Sequence, residues 1–152
     1  MKIVLQNVLK ASVEVNNQII SEISKGYLLL VSFKEGDNEE ISKKLALKVS
    51  KLRIFMDENG KTNKSIFDVN GSILSISQFT LYADASKGNR PSFTNCMHFE
   101  KANELYKLFN DYLRELNLEV KEGMFGEDMK VSLINDGPFT LVLDSEELFK
   151  WE

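Results

Sequence analysis

One run of seven residues, Tyr27-Leu28-Leu29-Leu30-Val31-Ser32-Phe33, constrains the fold of this chain more than any other feature. It is β-branched and aromatic at its ends, apolar almost throughout, and free of the alternation that marks a strand with one face in water. Such a run reads as a central strand buried on both faces. It is far short of the ~18 residues a membrane span requires, and no other apolar run approaches that length.

Further strands surround it. Ile3 to Val8 and Ala11 to Val15 are partly alternating, Asn16-Asn17 supplies a turn, and Ile19 to Ile23 returns. Gly71 to Tyr82 is a second strong strand. Val131 to Ile134 and Phe139 to Leu143 close the chain around Asn135-Asp136-Gly137-Pro138. Two helices stand out. Asp37 is a natural N-cap with Glu40 three residues on, and Ile41, Leu45, Val49 and Leu52 form one apolar stripe. The second carries Ala102, Leu105, Tyr106, Phe109, Tyr112, Leu113 and Leu116 on one side. Asp57 to Lys61 is a polar turn without the ligand spacing of a calcium loop. The pattern predicts an α/β fold, one domain over residues 1–152, with mostly antiparallel or mixed sheets and two long helices packed on one side. The length, 152 residues, suits one domain with a real core.

Composition removes several functions. A single cysteine, Cys96, excludes an internal disulfide, and a single histidine, His98, excludes a multi-histidine metal site. No metal or cofactor is expected. Met1-Lys2 runs straight into a strand-like segment with no signal-peptide pattern, so a cytoplasmic location is expected, without membrane association. The net charge of −4 does not suit a protein that coats a duplex, and only Arg53, Arg90 and Arg114 are arginines. A nucleic-acid partner would be held locally or by its end. Phosphate-loop, dinucleotide, nucleophile-elbow and zincin motifs are all missing. A Cys96/His98 dyad is conceivable two residues apart, but the plain reading is a small half-buried cysteine and a loop histidine.

Two short segments are odd for pure structure. Ser77-Gln78-Phe79-Thr80 places polar groups where an apolar strand should end or bulge, and N–H groups at an irregular strand end can face an oxyanion. The plain alternative is a strand end with solvated hydroxyls. Gly137-Pro138 puts proline straight after a hairpin signal, which biases the site toward a special turn.

Taken in order with their surroundings, these segments resemble one family. Ser77 to Asp84, then Lys87-Gly88-Asn89-Arg90-Pro91-Ser92-Phe93, then Phe125 to Thr140 are similar to the D-aminoacyl-tRNA deacylases. Leu52-Arg53-Ile54-Phe55 and Gln6-x-Val8-x-x-Ala11-Ser12-Val13 extend the likeness over nearly the whole chain. The resemblance implies a homodimer that hydrolyses the ester joining a D-amino acid to the terminal adenosine of tRNA, and that also removes glycine mischarged on alanine tRNA. It implies that Ser77, Gln78, Phe79 and Thr80 line the ester pocket, with backbone donors at Gln78 and Phe79 facing the oxyanion. Gly137-Pro138 matches a Gly-cisPro element that enters the partner subunit's pocket and rejects L-amino acids. Ala102 matches a position beside the amino group, and Phe125 and Met129 border the adenine or the pocket mouth. In the family picture the ribose 2′-hydroxyl assists the attacking water, which suits a sequence with no evident general base. Thr80 as nucleophile is the sharper alternative, but nothing stands ready to activate it.

Lys87 and Arg90, with Lys61 or Lys64, are candidate phosphate contacts. The chain departs from the family at Asn7, where many relatives carry arginine, and at Asn89, where some add a basic residue. A non-catalytic dimeric module binding the tRNA acceptor end is the alternative function.

Overall fold

The computed structural model describes all residues, 1–152. Twelve elements follow one another: β1 Lys2–Val15, β2 Gln18–Ile23, β3 Gly26–Ser32, α1 Glu39–Lys51, β4 Arg53–Met56, β5 Thr62–Ser65, β6 Ser72–Ser77, a 3₁₀ turn Phe79–Tyr82, α2 Phe99–Glu115, β7 Val120–Glu122, β8 Lys130–Asp144 and α3 Ser145–Leu148. Six strands form one mixed sheet in the order β2-β1-β3-β6-β7, with β8 on the other side of β1, while β4 and β5 form a separate hairpin. β3, β6 and β7 run parallel, and the remaining pairs of the large sheet are antiparallel.

The apolar run at Tyr27 is the central strand its composition demands. Alternate residues of a strand face opposite ways. Tyr27, Leu29, Val31 and Phe33 enter the larger core, with Leu45 and Val49 of α1 and Tyr106, Phe109 and Leu113 of α2. Leu28 points the other way, into a smaller core with Val8, Ala11, Val13, Ile23, Leu74 and Ile76. Both long helices therefore cover one face. The other face is closed by the curl of β1 and β2 and by half-buried Met129, Val131 and Leu133.

Several boundaries differ from the sequence reading, each for a local reason. The two N-terminal pieces are one long strand, β1, because β8 pairs with it from Lys2 to Glu14. The two closing strands are likewise one element, β8. The strand expected over 71–82 stops at Ser77 and gives way to the 3₁₀ turn. Asn38, not Asp37, caps α1 by accepting from Ile41 N at 3.0 Å. Asp37 is instead buried, accepting from Lys34 N at 2.8 Å and pairing with the Met1 ammonium at 2.6 Å. No helix is long and apolar enough to cross a membrane.

Candidate active site

The parallel strand β6 ends at Ser77, and the next three residues change role. Gln78 N–H still donates to Val31 O at 2.8 Å, extending the ladder by one rung. The chain then winds into the 3₁₀ turn, closed by Leu81 N to Gln78 O at 3.2 Å and Ala83 N to Thr80 O at 3.0 Å. The first N–H groups of a helical turn have no carbonyl inside it, and here they belong to Phe79 and Thr80. The expected donor pair, Gln78 and Phe79, therefore shifts by one residue. Gln78 N–H is committed to the sheet, and the open donors are Phe79 and Thr80.

The peptide between those two residues is held firmly. Ser32 Oγ donates to Phe79 O at 3.2 Å and the Cys96 thiol donates to it at 3.4 Å. In a trans peptide the carbonyl and the following N–H point oppositely. Anchoring Phe79 O against β3 thus turns Thr80 N–H outward.

No side chain in this turn is an activated nucleophile. Thr80 Oγ1 accepts from Gln78 Nε2 at 2.6 Å, and an amide cannot take a proton as a base, so the hydroxyl is oriented rather than activated. Burial pushes the Cys96 thiol up from its ordinary range, which disfavours the thiolate. Its Sγ also serves Phe79 O, while His98 is exposed at the head of α2. The dyad is not assembled.

Beside the turn lies a cleft of about 540 Å³, within the range of small-molecule sites. Ile76, Ser77, Gln78 and Phe79 form one side, and Met97, Phe99 and Ala102 form another at the start of α2. The segment Phe125 to Met129, with Val131, forms the third. Aromatic packing shapes that third side. Phe125 meets Phe99 edge-on at 4.9 Å between centroids and Tyr106 at 5.7 Å. Gly126, at φ +83°, presses on Phe99 so closely that an added Cβ would sit 2.7 Å from the ring. Tyr106 ties α2 to β6 by donating to Ser75 O at 2.6 Å, and burial pushes its hydroxyl up to about 12, so it stays a neutral donor. The only charged residues on the lining are the carboxylates Glu127 and Asp128, both exposed.

Of the residues singled out from sequence, Ser77, Gln78, Phe79, Ala102, Phe125 and Met129 meet at this cleft. Thr80 follows on its rim without lining it. Lys87 and Arg90 lie in the exposed loop beyond, and Lys64 pairs with Glu58 at 3.1 Å. Phe99 and Met97 were missed. Phe99 was findable, because it extends the α2 stripe one turn back, three residues before Ala102.

Gly137 and Pro138 stand elsewhere. Their peptide bond is cis, Gly137 has φ +140°, and both residues are exposed on β8, outside the lining of their own chain's cleft. An added Cβ at Gly137 would meet Phe139 N at 2.9 Å. Opposite the single residue Asn7 on β1, β8 carries four, Asp136 to Phe139, so the pair rides on an excursion from the ladder. Asn7 itself is buried and turned away, donating to Ile54 O at 2.8 Å.

Comparison with known proteins decides what this arrangement belongs to. The family described as D-Tyr-tRNA(Tyr) deacylase matches residues 4–144. The chain belongs to that family. Similar proteins include D-aminoacyl-tRNA deacylases of Lactobacillus gasseri, 54% identical over 95% of this chain and 99% of that one, and of Dictyoglomus turgidum, 52% identical over 99% and 96%. Among solved structures, one described as c-Myc DNA Unwinding Element Binding Protein superposes with a TM-score of 0.88 at 39% identity, covering 95% of this chain and 98% of that one. A probable eukaryotic D-amino acid tRNA deacylase shares the fold at 17% identity, with a TM-score of 0.80 over 93% and 97%.

Proposed function

We infer that the cleft receives the aminoacylated 3′ end of a tRNA and that this chain, as one catalytic domain over residues 1–152, is a D-aminoacyl-tRNA deacylase. It hydrolyses the ester between a D-amino acid and the terminal ribose, giving free amino acid and tRNA. Water attacks the ester carbonyl carbon, negative charge collects on the carbonyl oxygen, and the carbon–oxygen bond to the ribose breaks as its oxygen takes up a proton. The N–H groups of Phe79 and Thr80 face the developing oxyanion. Removing one such donor costs enzymes ~3–4 kcal/mol of transition-state stabilisation. With no side-chain base at the turn, the ribose 2′-hydroxyl supplies the proton relay.

Selectivity comes from a second copy of the chain. The observation that carries this reading is the position of Gly137-Pro138, exposed on an excursion of β8 and absent from the cleft of its own chain. β8 pairs only with β1, leaving an open edge of 15 residues with Ile134 46% and Val142 64% exposed. Folded proteins rarely leave so long a strand edge uncovered. In the homodimer this edge is covered and the Gly137-Pro138 backbone of one subunit walls the partner's cleft beside the substrate Cα. An L side chain strikes that wall, while hydrogen and D side chains point away, so the pair acts by exclusion. Glycine passes and is removed when mischarged on alanine tRNA. Lys87 and Arg90 contact acceptor-end phosphates. The enzyme works in the cytoplasm.

The test is hydrolysis of D-tyrosyl-, L-tyrosyl- and glycyl-tRNA by purified protein. Turnover of the first and third without the second is expected. Binding without turnover would leave only a module for the acceptor end, and efficient L-tyrosyl hydrolysis would defeat the exclusion reading.

A further inference from the structure

The excursion that carries Gly137-Pro138 is tied across its base by one side chain. Asn135 Oδ1 accepts from Phe139 N at 2.7 Å, which fixes the amide's orientation, since a backbone N–H must meet the oxygen. Asn135 Nδ2 then donates to Thr140 Oγ1 at 2.9 Å and to Gln6 Oε1 at 3.0 Å, with Phe139 O a longer contact at 3.4 Å. These bonds join the two ends of the excursion to each other and to β1 at the register position where Gln6 faces Thr140. Beyond the pairing of β8 with β1, no other side chain bonds both ends of the excursion. Asn7, directly opposite the excursion, is buried and bonded to Ile54 O on the far face of β1.

We propose that Asn135, braced by Gln6 and Thr140, is the positioning residue that sets where Gly137-Pro138 projects, and so sets the enantiomer selectivity of the partner's cleft. The proposal rests on the exclusion reading above. A wall that works by contact at Cα tolerates little displacement, whereas hydrolysis of a D-ester, which avoids the wall, tolerates much more. Loosening the base therefore lets L-esters in before it harms turnover of D-esters.

The experiment compares kcat/KM for D-tyrosyl- and L-tyrosyl-tRNA in the parent and in Asn135→Ala, Asn135→Asp, Gln6→Ala and Pro138→Ala, with the unfolding midpoint and sedimentation of each. Asn135→Ala is expected to lower the D-to-L ratio by about tenfold or more, the equivalent of one net hydrogen bond, chiefly through gain of L-ester turnover. Gln6→Ala, which removes one brace, moves the ratio the same way by less. Asn135→Asp keeps the acceptor for Phe139 N, and Thr140 Oγ and a turned Gln6 amide can donate to it, so it restores most of the ratio. A merely structural role would shift the unfolding midpoint and both substrates alike. A folded, dimeric Asn135→Ala with the parent's ratio overturns the proposal. If that variant does not fold, Gln6→Ala with the parent's ratio overturns it. Pro138→Ala separates the two layers. If it loses selectivity while the Asn135 and Gln6 variants keep it, only this inference fails; if it keeps selectivity, the exclusion reading itself fails.

Discussion

The cleft at Ser77 and the excursion at Gly137-Pro138 are built in opposite ways. The cleft sits where a buried parallel strand ends, and its walls are fastened to the core: Tyr106 bonds Ser75 O, and Ser32 and Cys96 bond Phe79 O. The excursion leaves an edge strand, is exposed, and is held at its base by the pairing of β8 with β1 on either side and by a single amide side chain. One region is positioned by burial, the other by a local hydrogen-bonded knot. Chemistry in the cleft needs donors fixed to the rest of the enzyme, which a strand end inside a core supplies. On the proposed function the excursion serves a neighbouring subunit, so it stands away from its own core and is shaped by the bonds at its base. On the proposed function, catalysis and selectivity separate by region, and substitutions should separate them too.

The largest effect is expected from filling the cleft. Ala102→Phe places a ring where a 9% exposed methyl now lines the wall, and kcat/KM for D-tyrosyl-tRNA should fall by more than about a thousandfold, ~4 kcal/mol. Sedimentation should show the same assembly as the parent, since Gly137-Pro138 is untouched. Phe79→Pro comes next, read against Phe79→Ala. Both lose the ring, but only proline loses the N–H, at a position where helical turns accept it. The extra loss in kcat for proline should be about 100- to 1000-fold, and equal kcat values for the two variants would remove Phe79 N–H from the oxyanion site.

Thr80→Ala should keep activity within about tenfold, because its hydroxyl has an amide and no base beside it. A trapped acyl group on Thr80 would reverse that assignment. Salt should matter least. The lining carries no lysine or arginine, so binding of tRNA should weaken only gently as salt rises. Lys87→Ala with Arg90→Ala should lower the log–log slope by up to about 1.5. A steep slope that survives both substitutions would place the tRNA elsewhere.

How much of this was legible in the sequence follows from how each region is held. Tyr27 to Phe33 announced its burial because a strand covered on both faces leaves almost no polar positions, Ser32 being the exception and bonded to Phe79 O. The α1 and α2 stripes announced the one face that each helix buries, and Ser77 to Phe79, Ala102, Phe125 and Met129, singled out through the family resemblance, line one cleft. The misplaced details depend on long-range pairing. Whether Gln78 or Thr80 offers its N–H is decided by a rung to Val31, 47 residues away in sequence. Asp37 looked like a cap and is an inward carboxylate, because Lys34 and Met1 come to meet it. That β1 and β8 are each continuous followed from their mutual ladder, which no local pattern reports. Asn135 read only as part of a turn, since its partner Gln6 lies 129 residues away.

The central claim, that each active site joins one chain's cleft to another chain's Gly137-Pro138, is tested most directly by mixing subunits. One subunit carries Ala102→Phe with an intact Gly137-Pro138; the other carries Gly137→Ala and Pro138→Ala with an intact cleft. Each is purified alone and as a tagged mixed dimer, then assayed on D-tyrosyl- and L-tyrosyl-tRNA. A composite site predicts that the mixed dimer keeps about half the parent's D-ester turnover per dimer and, unlike the Gly137→Ala/Pro138→Ala subunit alone, refuses L-esters, because its one open cleft faces an intact Gly137-Pro138. If the excursion serves its own chain, the mixed dimer shows only the D- and L-ester turnover of the two variants assayed apart, and that result would contradict the account.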